Sequence, residues 1–252
     1  ARGHWLAEDH RRHAQGSPGV RTGSSYVGHN SPSQPVLLSA RLPRFTSLLK
    51  EAAGRLQAQT SKAGQLTPAA EWLLDNYYIA AQALREVQQD LPPQFERELP
   101  HLQAARLRIY DLSAEIIQTE NALLDLERIQ RFVESYQEIL PLTMGELWAL
   151  PTMLRLGILE CLLVAIARLT ELAAETITEI APNMKFPEQL DDQLMVENCI
   201  RSLRVLAVFD WKSFFESLSL VEIALRQDPA KLYAGMDFET RDYYRKAVEK
   251  IA

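Results

Sequence analysis

The chain has 252 residues, enough for one large domain or two small ones with a real core, and its 47% hydrophobic and 24% charged residues are ordinary for a soluble globular protein. A formal net charge of −6 argues against a nucleic-acid-binding module, which needs clustered Lys and Arg to neutralise phosphates. The two cysteines, Cys161 and Cys199, lie far apart in apolar helical contexts, so they read as buried free thiols in a reducing compartment rather than a disulfide framework.

The amino end, ARGHWLAEDHRRHAQGSPGV, has no apolar core of a secretory leader, and the abrupt start on Ala1 points to a piece of a longer polypeptide. Residues 1–36 read as a flexible arm or linker: a turn or two of helix over Trp5–His13, then a Gly/Ser/Pro-rich stretch to Pro35. His10 and His13, spaced i,i+3 beside Asp9, faintly resemble a metal site. A structural zinc needs four ligands and no second pair follows, so they read as solvated charge, and no metal is expected.

Residues 37–252 read as a single all-α domain. Val36–Ser61 carries Leu42, Phe45, Leu48, Leu49 and Leu56 at helical spacing. Thr67-Pro68 restarts the chain as N-cap and first helical residue, and Pro68–Asp90 would bury Trp72, Leu73, Tyr77 (or Tyr78), Ala80, Leu84 and Val87. After Leu91-Pro92-Pro93 comes a short amphipathic piece, QFERELP, then helices over about 102–118 and 123–140. The longest apolar segment runs from Leu142 to Ile180. It opens with a capping box, Thr143 and Glu146, and Pro151 divides it into a short helix and a long one. Glu160, Arg168, Glu171, Glu175 and Glu179 fall within a wedge of roughly 100° on that helix, the rest being apolar, so other helices must surround it. It is no membrane span, because Arg155, Glu160 and Arg168 interrupt it, and the uncharged run Cys161–Ala167 falls well short of the roughly 18–20 residues required.

Ala181-Pro182 and Phe186-Pro187 mark a loop. A helix over Asp191–Phe209 follows, with Leu194, Cys199, Leu203 and Leu206 facing inward. Asp210 caps the next, in which Trp211, Phe214, Leu218, Val221 and Leu225 share a face and Glu222 and Arg226 form an exposed i,i+4 pair. Asp228-Pro229 starts a short helix and Asp237 the last. No period-2 alternation appears, so the expected architecture is a multi-helix bundle of about eight or nine helices around a long central apolar helix.

Chemical signatures are missing. The chain has no nucleotide-binding glycine motif, no G-x-S-x-G elbow and no Cys/His pairing. Asp191-Asp192 begins the magnesium-binding run of an isoprenoid synthase, but Met195 stands where its last acid belongs. Glu98, Asp111, Glu115 and Glu120 could pair for acid/base work, although a solvated helix face accounts for them. No catalytic residue and no cofactor is expected in this segment. Trp72, Tyr77, Tyr78 and Trp148 could stack on sugar rings, yet at helical spacing core packing explains them too.

Two stretches resemble a known family. One runs from TPAAEWLLDNYYIAAQALREVQQDLPPQFERELPHL to RFVESYQEILPLTMGELWALPTMLRLGILE; the other is DWKSFFESLSLVEIALRQDPAKLYAGMDFETRDYYRKAVEKIA. Together they resemble the amino-terminal cytosolic region of the cyclic β-1,2-glucan synthases, large bacterial inner-membrane glycosyltransferases. The resemblance implies a parent that polymerises glucose from UDP-glucose. It also implies a cytoplasmic, non-catalytic segment that braces or positions a downstream transferase module of the same chain, with β-1,2-glucan as a second candidate partner. Neither the D-x-D nor the Q-x-x-R-W signature of such transferases occurs here. Within MDFETRDYYR, Arg241 and Asp242 are candidates for docking onto a neighbouring module or for local ion pairing. Alternatively, the chain is a stand-alone helical scaffold that binds glucan or protein partners.

Overall fold

A computed structural model describes residues 37–63, 68–102, 106–170 and 191–251. The arm over 1–36 with His10 and His13, the cap Thr67, Glu171, Glu175 and Glu179, and the loop prolines Pro182 and Pro187 lie outside the described residues. The described residues form ten α-helices and no strand. They are α1 (Leu38–Ala63), α2 (Pro68–Asp90), α3 (Pro93–Glu98), α4 (Arg108–Thr119), α5 (Leu126–Gln137), α6 (Met144–Leu169), α7 (Asp192–Val208), α8 (Trp211–Leu218), α9 (Leu220–Leu225) and α10 (Phe238–Ile251). The all-α reading holds, and the central helix is α6, packed by α1, α2, α4, α7 and α8.

The α6 helix starts where its capping box places it. The Thr143 side chain accepts from the Glu146 amide, and the Glu146 carboxylate accepts from the Thr143 amide at 2.9 Å. Pro151 does not divide it. Proline removes one backbone donor and costs about 3 kcal/mol inside a helix, but every residue from Thr152 to Ala167 is buried and the packing on all sides offsets that loss. By length and hydropathy α6 could cross a membrane, yet its most apolar stretch is wholly buried inside the fold.

Three further expectations change. Trp211 to Leu225 is two helices rather than one, because Ser219 adopts an extended backbone and its hydroxyl caps α9 through the Glu222 amide. The apolar spacing runs straight through that break and so conceals it. Asp228 starts a turn, not a helix. Its carboxylate accepts from the amides of Ala230, Leu232 and Tyr233, and Lys231 takes a positive φ of 54° that no helix continues. Leu194 faces solvent, whereas Cys199, Leu203 and Leu206 of the same helix are buried.

The turn between α4 and α5 places Asn121 and Ala122 at positive φ, 51° and 59°. Two side chains of α7 hold it: Asn198 donates to the Asn121 carbonyl, and Ser202 donates to that of Ala122 at 2.7 Å. The hydrophobic core is built from α1 through α8 and their connections and reaches no residue beyond Leu218.

Candidate functional site

The six candidate residues fall into two groups on different elements. Trp72, Tyr77 and Tyr78 are on α2. Tyr77 and Trp72 pack partly buried against the core, and the Arg204 guanidinium lies over the Trp72 ring at 5.8 Å. Arg204 also donates to the Asn76 side chain, which joins α7 to α2. Tyr78 points outward, 62% exposed, on one wall of a groove of about 450 Å³ between α2 and α7. Ile79, Ala83, Leu203 and Ala207 form the groove's apolar lining, together with exposed Val205 and Val208. Its polar groups are Gln82, Glu86 and Arg204, and Gln82 donates to Glu86 at 3.0 Å. An exposed ring beside an amide, a carboxylate and a guanidinium can hold a flat ligand with an apolar face.

Trp148, Arg241 and Asp242 gather at the other end of α6. The Trp148 ring stacks on Phe215 of α8 at 4.5 Å and meets Phe238 of α10 edge-on at 5.9 Å. Arg245 of α10 is fully buried, its guanidinium 5.1 Å from the Phe215 centroid and 4.9 Å from that of Phe238. It donates to Glu222 at 2.6 Å and to Glu216 at 3.3 Å. Arg241 donates to Glu216 at 2.6 and 3.0 Å and to the Met236 carbonyl. Asp242 pairs with Lys246 at 2.6 Å and Arg245 at 3.4 Å. Arg241 and Asp242 therefore engage partners within the domain. Glu222 is no exposed partner of Arg226, although the 2.7 Å pair forms. It is fully buried, because Tyr233, at 2.5 Å, and Arg245 also converge on it. Burial raises the Glu222 carboxyl, but hydrogen bonds from Tyr233 and Arg245 outweigh this and hold it below the usual carboxylate range. The same contact and burial push the Tyr233 phenol up to about 12.

Sequence reasoning overlooked the ionisable groups inside α6. Glu160, placed on the charged wedge of this helix, is fully buried. One of its oxygens accepts from Arg41 of α1 at 3.1 Å and the other from the Tyr110 hydroxyl of α4 at 2.5 Å. Burial pushes its carboxyl up to about 7 against the pull of Arg41 and Tyr110. Arg155 is also buried; it pairs with Glu86 at 3.0 Å and donates to the Leu206 carbonyl at 3.0 Å. Glu146 of the capping box is buried too and pairs with Arg108 of α4. The available signal was the composition of α6: a charge inside so apolar a helix has to find a partner from a neighbouring one.

Burial pushes both thiols up, and Cys161 and Cys199 are free and buried as expected. Of the acids considered for acid/base work, Asp111 pairs with Arg106 at 2.7 Å and Glu120 with Arg128 at 3.1 Å, while Glu98 is exposed. Among the described residues no three His, Cys, Asp or Glu side chains group as metal ligands.

No family model matches the chain. Over 77% of its length it is 28% identical to the cyclic β-(1,2)-glucan synthase NdvB of Rhizobium meliloti. The chain is thus similar to a cyclic β-1,2-glucan synthase. That alignment of 264 positions spans 9% of the Rhizobium synthase, so the chain corresponds to a small part of its relative's length.

Proposed function

We propose that this chain is a non-catalytic helical module of a cyclic β-1,2-glucan synthase, a cytoplasmic brace that positions the UDP-glucose-dependent glycosyltransferase of the same polypeptide. The observation that carries this reading is the fit to a small portion of the Rhizobium synthase, in a helical unit whose buried acids tie its elements together: Glu146, Glu160 and Glu222 bind arginines of other helices, and Glu96 accepts from the Leu38 and Ser39 amides at the start of α1. Carboxylates buried and paired in this way tie elements together and have no face open to a substrate or to a nucleotide's metal. Incubating the purified chain with UDP-glucose and divalent cations tests this. No transfer and no hydrolysis is the expected result, and glucose transfer by the chain alone would overturn the reading.

A second reading, glucan binding, is favoured by Tyr78 at the α2–α7 groove. Because Arg204 lines the groove and covers Trp72, a bound oligosaccharide would alter Trp72 emission. Titration with linear β-1,2-glucan should then change fluorescence in the parent chain and not in Tyr78→Ala. Unchanged emission at millimolar sugar would remove this reading.

A further inference from the structure

We propose that α10 is a detachable strap, docked by its arginines instead of by apolar burial, that opens as a unit while the α1–α8 core stays closed. Among the 14 residues of α10 the one fully buried side chain is Arg245. Its large apolar side chains stay largely in water: Tyr243 and Ile251 are mostly exposed, Tyr244 and Val248 are less so, and Phe238 is half-buried. A helix that hides an arginine and shows its isoleucine gains little from removing apolar surface from water. Its attachment is instead a set of directed contacts. Arg241 and Arg245 reach Glu216 and Glu222, the Arg245 guanidinium lies between two phenyl rings, and Glu249 accepts from the Met144 amide at 2.8 Å.

Such contacts depend on exclusion of water: ion pairs and cation–π contacts lose most of their value once water enters between the groups. Opening α10 would take Phe238 off the Trp148 ring and remove the Glu249 partner from the first amide of α6. The strap therefore links the exposed apolar side of α10 to the start of the central helix, which makes it a point where an event outside the module can be sensed inside it. The strap does not depend on the synthase reading, since it rests on the packing of α10 alone.

The test is amide hydrogen exchange on the 252-residue chain, comparing α10 with the middle of α6. In the parent chain α10 should open independently, with protection factors at least a hundredfold below those of Leu154–Leu163. Glu222→Gln leaves the Arg245 charge short of its main partner, and α10 exchange should accelerate by about a hundredfold or more, since breaking a buried pair on one side is strongly destabilising. The α6 rates should stay unchanged. Glu222→Gln combined with Arg245→Met removes both charges and should return α10 to within about tenfold of the parent, as paired removal of buried charges is often near neutral. Equal protection of α10 and α6 in the parent chain would overturn the proposal, as would joint acceleration of both helices or an α10 indifferent to Glu222→Gln.

Discussion

The two helices at the extremes of this molecule are held by opposite means. Sixteen consecutive residues of α6, from Thr152 to Ala167, are buried, so that helix is fixed by close packing in every direction. In α10 the single fully buried side chain is charged, and the helix is fixed by the partners of Arg241 and Arg245. Even the buried charges differ in context. Glu160 and Arg155 sit within a packed apolar wall that would hold α6 in place without them. Arg245 is itself the attachment. The difference suggests a core that keeps its shape and an end that can respond.

The largest expected effect breaks the packed side of the comparison. Leu154→Ala removes a fully buried side chain from the middle of α6, and it should cost about 3 kcal/mol in urea unfolding, felt across the whole core. If α6 could be trimmed there at little cost, its burial would not be what holds it.

Acid separates the two regions, because the key carboxylates respond with opposite signs. Glu160 has a folded value of about 7, above its unfolded 4.5. Its contribution is therefore fully present below pH 4.5 and is lost as pH rises through 7. Urea midpoints should be higher at pH 5 than at pH 8 by an amount that Glu160→Gln abolishes. Glu222 is lowered in the fold, so its contribution is present above its unfolded value and lost as pH falls through the folded one. Protection of α10 should accordingly collapse at acid pH below the usual carboxylate range, while α6 remains protected. Loss of both helices at the same pH would erase the distinction.

Smaller effects sharpen it. Thr143→Ala removes the N-cap of α6 and should cost about 1 kcal/mol in urea unfolding. Tyr243→Ser, on the exposed side of α10, should change stability by no more than about 0.5 kcal/mol.

Much of this architecture was legible in the sequence. The capping box at Thr143 and Glu146, the restart at Pro68, the N-cap Asp210 and the start at Asp237 are local chemistry, written within three or four residues of each other. Two kinds of feature were not legible. Ser219 breaks a helix that its neighbours' apolar spacing would continue, since a single hydroxyl capping the Glu222 amide outweighs that spacing. Pro151 does the reverse, tolerated because burial around it is worth more than one hydrogen bond. The candidate site was legible only in part. Arg241 and Asp242 stood out as unexplained residues, but their partners Glu216 and Lys246 come from chain folding or lie on an ordinary charged face. Arg245, four residues beyond Arg241, was passed over because nothing in a helical wheel tells a buried arginine from a solvated one.

The brace reading is tested most directly in a full-length synthase carrying this module. The measurement is β-1,2-glucan formation by membranes containing the intact enzyme, compared with an otherwise identical enzyme lacking residues 37–251. Reduced glucan formation, by at least tenfold with the truncated polypeptide still present in equal amount, is the predicted result. Undiminished synthesis without the module would contradict the account.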